Sequence, residues 1–255
     1  MNTDKYLIIV VLLFVLSVII SCSYKNPTPI EGWEDQYPPE FVYVSIQIPE
    51  PLKLSGDSMA QTVVGYIDMF NEMKKYVPLL NPSADTSLAE YKISGSSIPW
   101  VLSWRADEGF LILLFITKEG TSYNWELKFW GEDSTKNKFY DKWVVLTAYN
   151  DFEGKGGGIT LYEENSKNID SYYSWYTYPS TVKNYRAFQI SKHTDDDIDF
   201  IVEITYNYDL SGELSKYSMG EEKIYVEFKC AWSLSGQGEW WRYNENHNIV
   251  ASGSW

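Results

Sequence analysis

Apolar and polar residues alternate along 41–48. Val42, Val44, Ile46 and Ile48 share one parity, and Phe41, Tyr43, Ser45 and Gln47 share the other. Period two predicts a strand, ended by Pro49 and Pro51. The pattern then shifts to steps of three and four. Met59, Val63, Tyr66, Ile67, Phe70, Met73 and Val77 form one apolar stripe, with Gln61, Asp68, Glu72 and Lys75 off it. This predicts an amphipathic helix over 58–77. Asp57 stands at the N-cap position. Pro78 is expected to stop the helix at Val77, because the residue before a proline avoids helical backbone.

From 98 to the end the chain divides into short apolar or alternating runs. Strands are predicted at 100–105, 110–117, 123–130, 143–149, 159–163, 172–178, 185–191, 200–206, 224–232, 238–243 and 249–255. Turn residues separate most of them: Asp107-Glu108-Gly109, Glu119-Gly120, the glycine-rich 154–158, Leu210-Ser211-Gly212 and 244–248. Such short connections imply antiparallel neighbours. The longer interval 163–171 is expected to divide the sheet into two subassemblies. Tyr149-Asn150, Tyr206-Asn207 and Tyr243-Asn244 each fall where a strand meets a turn, an echo that fits a meander of similar hairpins.

One early helix before a long run of strands gives the expected fold class. It is mainly β (α+β), a curved antiparallel sheet meander or half-barrel packed on one amphipathic helix. The order of elements resembles the half-barrel lipoprotein carriers and chaperones of the bacterial envelope. That resemblance implies a fold, and one fold hosts many functions. An integral outer-membrane barrel, prompted by the terminal Trp255, is disfavoured because the strands lack a regular lipid-facing apolar band.

The N-terminus has a different logic. A short polar start with Lys5 precedes an almost wholly apolar run over 6–20, too short for a transmembrane helix without its flanks. Ile19-Ile20-Ser21-Cys22 ends the run, and the chain turns polar at Ser23. These residues resemble the lipobox of bacterial lipoproteins: aliphatic positions, a small residue, then the cysteine. Ile20 is bulkier than the commonest choice at its place, and Asp4 weakens the positive start. The resemblance implies cleavage before Cys22, a diacylglyceryl group on its sulfur and usually a third acyl chain such as palmitate. Two or more chains anchor stably. The domain plan is then a signal peptide at 1–21, a lipidated cysteine and proline-rich tether at 22–39, and one mostly β domain at 40–255. The expected location is the extracytoplasmic side of a membrane in the cell envelope. Ser23 stands where Asp marks inner-membrane retention in enteric bacteria, which favours the outer membrane or cell surface.

Losing residues 1–21 removes one acid and one base, Asp4 and Lys5, and leaves the net charge at −14. Such acidity disfavours nucleic acid and charge-driven docking on anionic lipid, so membrane contact is expected through the acyl chains on Cys22. With Cys22 committed, Cys230 is the one remaining thiol and no internal disulfide is available. Its apolar strand marks it as buried and inert.

Aromatic residues, 17% of the chain, are the compositional extreme. Along 171–178, Tyr172, Tyr176 and Tyr178 share one strand face, and Tyr173 and Trp175 the other. An exposed face would suit sugar rings; cross-strand packing is the plainer role. Trp240-Trp241 poses the same choice. Asp195-Asp196-Asp197-Ile198-Asp199 is the densest acidic cluster, but it lacks the alternating ligands and glycine of an EF-hand and fits a solvated turn. Gly156-Gly157-Gly158 lacks the lysine of a phosphate loop. His193 and His247, the only histidines, lie in polar turn-like surroundings, and no Gly-x-Ser-x-Gly elbow occurs. No cofactor or metal is expected.

The expected function is therefore non-catalytic binding by an envelope lipoprotein. An apolar ligand, such as a lipid, would sit between sheet and helix, walled by Met59, Phe70 and Met73. The alternative is a glycan- or protein-binding surface built on aromatics such as Tyr173 and Trp175. A carboxylate-dependent hydrolase is the enzymatic alternative.

Overall fold

The short runs form twelve strands: β1 (Trp100–Arg105), β2 (Leu111–Glu119), β3 (Ser122–Asp133), β4 (Lys138–Asp151), β5 (Gly156–Tyr162), β6 (Ile169–Tyr178), β7 (Tyr185–Thr194), β8 (Asp197–Asn207), β9 (Gly212–Met219), β10 (Ile224–Trp232), β11 (Gly238–Tyr243) and β12 (Ile249–Ser254). The structure, a computed structural model, describes residues 38–82, 100–178, 185–194, 197–220 and 223–255. The predicted leader, Cys22 and most of the predicted tether lie outside the described residues, as do Asp195 and Asp196.

All twelve strands form one antiparallel sheet in sequence order, open at β1 and β12. The interval before β6 does not split it: β5 pairs with β6 from Gly156↔Tyr176 to Tyr162↔Ile169. β9 is a strand where none is expected from the sequence. Its Glu-Leu-Ser-Lys-Tyr-Ser sequence carries one buried aliphatic residue, Leu214, so its pairing with β8 and β10 defines it rather than its hydrophobicity. Gly156 to Gly158 begin β5 instead of forming the turn.

Segment 41–48 is not a strand. Phe41 and Ile46 are buried while Val42 is exposed, so the two-residue alternation does not govern it. Its backbone is held by carboxamides instead of a neighbouring strand. Asn81, Asn150 and Asn71 each accept an N–H and donate to the carbonyl of one residue, namely Phe41, Val42 and Ile46 respectively. A side-chain amide has the same donor and acceptor as a peptide, so each asparagine supplies one rung of a ladder.

A short helix α1 (Glu50–Lys53) precedes α2 (Ser58–Asn71). Asp57 caps α2, its carboxylate accepting from the N–H groups of Met59 and Ala60. The helical run passes Val77 rather than stopping there. It tightens into a 3-10 turn over Glu72–Tyr76 and continues as α3 (Val77–Leu80), with Pro78 in the first turn, where a missing N–H costs nothing.

Met59, Val63, Ile67, Phe70 and Met73 from the predicted stripe are buried, joined by Ala60 and Val64. The Phe70 ring lies edge-on to Tyr173 and Trp175 of β6 and to Phe188 of β7, and stacks on Tyr43. Tyr66 meets Phe200 of β8. On the sheet, Ile112, Leu114 and Ile116 of β2 alternate with the half-buried Leu111, Leu113 and Phe115. One parity thus belongs to the core and the other faces outward.

Candidate functional site

The residues singled out as apolar walls or aromatic binders fall in the core. Met59, Phe70, Met73, Tyr173 and Trp175 are all less than a tenth exposed. Phe41 fits between Trp125 and Trp175, with ring centroids 5.1 and 5.9 Å away. Burial and the neighbouring Tyr173 raise the Tyr43 phenol well above its ordinary value. Its hydroxyl donates to the Phe70 carbonyl. These groups meet one another, leaving their outward neighbours Tyr172 and Tyr176 to face away from the core. Trp240 packs partly on the core, while Trp241, next along β11, takes the other parity.

The outward side of β2–β5 carries a different chemistry. The register aligns Phe115, Glu126, Thr147 and Thr160 in one row across four strands. The next row is Thr117, Asn124, Tyr149 and Gly158. These rows, Gly158 excepted, line a hollow of about 390 Å³ together with Glu119. Gly158 acts through Tyr149, the residue opposite it. A methyl group on Gly158 would come within 2.5 Å of the Tyr149 ring, so that ring lies across the bare glycine backbone. The Tyr149 hydroxyl thereby reaches the Tyr172 hydroxyl at 3.3 Å. Burial, then Tyr172, pushes the Tyr149 phenol up, and it stays a neutral donor and acceptor. Lys128 bonds Glu126 at 2.6 Å and lies 5.0 Å from the centre of the Phe115 ring.

The hollow therefore combines the Phe115 and Tyr149 rings with four hydroxyls, from Thr117, Thr147, Thr160 and Tyr149, one carboxamide and two carboxylates. Such a set can exchange hydrogen bonds with several hydroxyls at once while the rings cover apolar C–H surface.

No family model matches the chain, and no curated protein does.

Among the described residues no group of three or more His, Cys, Asp or Glu side chains could hold a metal ion. Asp197 and Asp199 lie on β8 and His193 on β7. His247 sits at positive φ in the β11–β12 turn, where Asn244 accepts from the N–H groups of Asn246 and Asn248. Cys230 is 2% exposed, and burial pushes its thiol up to about 12. The outward rows are not evident in the sequence, where Tyr149 figures only in the Tyr-Asn echo. Their signal is a set of Thr, Asn, Tyr and Glu at one parity of four successive strands, readable only once the register is known.

Proposed function

We propose that this protein is a lipid-anchored binding protein of the cell envelope, held through Cys22, whose domain takes a polyhydroxylated ligand, a glycan, on the outward face of β2–β5. The observation that carries this reading is the paired row of Phe115, Glu126, Thr147 and Thr160 beside Thr117, Asn124 and Tyr149, which borders a hollow of about 390 Å³. The sheet is read as a curved half-barrel with α2 across its inner side, supported by the ring contacts of Phe70 and Tyr66 with β6, β7 and β8. An apolar ligand between helix and sheet has less support, because Met59, Phe70 and Met73 are already covered by neighbouring side chains. Surface recognition leaves that core intact.

The test is electrophoresis of the detergent-solubilised full-length protein through native gels containing neutral polysaccharides: a mixed-linkage β-glucan, a β-1,4-xylan, an α-1,4-glucan and an α-mannan. Retardation by one of them, lost in Tyr149→Ala, is expected. Absence of retardation by all of them overturns the glycan reading. Release of reducing ends would instead point to a hydrolase, with Glu119 and Glu126 as the carboxylates to test. The anchor has its own check: Cys22→Ala should abolish labelling by radioactive palmitate, and unchanged labelling would sink it.

A further inference from the structure

A second hollow, of about 440 Å³, lies at the end of β1–β3 and is bordered by Arg105, Glu108, Leu111, Trp130, Glu132 and Ser134. Trp130 is 42% exposed, a large apolar ring left open to solvent. Lys142 lies over it, 5.4 Å from the ring centre. The hollow's rim is firm. Ser134 donates both its hydroxyl and its N–H to the Glu108 carbonyl, and Arg105 donates to the Gly109 carbonyl.

The two hollows share one face of the sheet. Along β2, Leu111, Leu113, Phe115 and Thr117 have the outward parity; along β3, so do Trp130, Lys128, Glu126 and Asn124. The register sets them side by side, as Leu111↔Trp130, Leu113↔Lys128, Phe115↔Glu126 and Thr117↔Asn124. β2 thus supplies an apolar rail, and β3 a polar rail that ends on an indole. Leu111 and Leu113 at outward positions have no role in the core, whose side of β2 is filled by Ile112, Leu114 and Ile116.

We propose that these rails form one track for a linear neutral glycan, with Trp130 as its terminal stacking platform. This rests on the glycan reading above and adds a second subsite and a direction. The sugar faces would lie on Leu111, Leu113 and Phe115, and the ring hydroxyls would meet Lys128, Glu126 and Asn124. From Asn124 to Trp130 the strand advances roughly 20 Å, room for about four sugars in line. Charge selects against acidic polymers. The chain carries −14, and Glu108, Glu119, Glu126 and Glu132 border the hollows.

The experiment is calorimetric titration of the full-length protein in mild detergent with an oligosaccharide series, from two to six units, of whichever polysaccharide retards it. Affinity should climb to about four units and then level off, the length of the strand segment. Trp130→Ala should weaken the four-unit ligand by about tenfold, the loss of one buried ring contact. It should leave the two-unit ligand unchanged, and Trp130→Phe should restore part of the loss. If Tyr149→Ala abolishes binding while Trp130→Ala leaves every length unchanged, the track is overturned and the single hollow stands. If no polysaccharide in the panel binds the parent, both readings fall. Circular dichroism of each variant separates lost binding from lost fold.

Discussion

Asn150 grips both backbone groups of Val42, accepting its N–H at 2.7 Å and donating to its carbonyl at 3.1 Å. The two residues are 108 positions apart, so this one side chain ties the segment ahead of the helices to β4. Asn150 is itself 3% exposed. Asn150→Ala is expected to cost about 1–3 kcal/mol, because both bonds to Val42 go and so does a longer one, at 3.5 Å, to the carbonyl of the buried Gly156. Urea unfolding should show a lower midpoint at unchanged slope. Asn150→Asp should be at least as damaging, since it removes the donor and buries a charge. A midpoint unchanged in both variants would show that the clamp holds nothing.

That clamp marks the limit of what the sequence reveals. The stripe on α2, the Asp57 cap and the antiparallel order of most strands are legible, because each depends on local periodicity or local capping. Segment 41–48 reads as a strand and is not one, because alternation describes side chains and says nothing of what pairs the backbone. Here the partners are Asn71, Asn81 and Asn150, single polar residues with no pattern to reveal them. β9 escapes notice for the converse reason: its backbone is paired on both sides, but Lys216 and Ser218 occupy positions where a strand signal needs aliphatic residues. The site is the least legible part. Tyr173 and Trp175 stand out as aromatics, whereas the outward rows need register, a non-local property.

Trp232 stands directly opposite Gly212, and its indole donates to the Leu210 carbonyl at 3.1 Å. A methyl group on Gly212 would collide with that ring and approach the Thr205 carbonyl to 2.8 Å. Trp175 over Gly157 and Trp240 over Gly253 repeat the pairing, so bare backbone on one strand receives a flat ring from the next. Gly212→Ala should therefore destabilise by about 1–3 kcal/mol through overpacking. Gly65, exposed on α2, is the contrast, since a methyl group there would meet nothing within 4 Å. Gly65→Ala should stabilise by about 0.5–1 kcal/mol through helix propensity. Thermal unfolding of the two variants should move in opposite directions; equal shifts would remove the ring-on-glycine account.

Glu227 bonds Lys216 and Ser218. Burial alone would raise its carboxyl, but the bonds from Lys216 and Ser218 outweigh it and hold it below 4.5. Burial likewise opposes the charge on Lys216, and the bond to Glu227 together with the neighbouring Tyr66 outweighs it and holds Lys216 above 10.5. A lowered carboxyl contributes stability above its unfolded value and loses it as pH falls through the folded one; a raised amine contributes below its unfolded value and loses it as pH rises through the folded one. The pair thus supports the fold fully between about 4.5 and 10.5 and fails at both ends. Glu227→Gln should be less stable than the parent at neutral pH, and the gap should narrow on acidification below 4.5. Chemical denaturation at pH 7 and pH 3 measures it. A constant gap would mean that the pair contributes nothing that depends on charge.

Phe70 bears on the competition between an internal ligand and a filled core. Its ring is fully buried against four others, from Tyr43, Tyr173, Trp175 and Phe188. If the helix and sheet enclose only side chains, Phe70→Ala opens a void and costs about 3–5 kcal/mol, and Phe70→Leu, which keeps most of the volume, costs less. The parent should then give no signal with a fluorescent fatty acid, and Phe70→Ala, if still folded, should gain one. The opposite pattern, saturable binding by the parent that Phe70→Leu weakens without loss of stability, would move the ligand inside and restore the carrier reading. The two outcomes differ in sign, so one titration on parent and Phe70→Leu decides between a surface that binds and an interior that does.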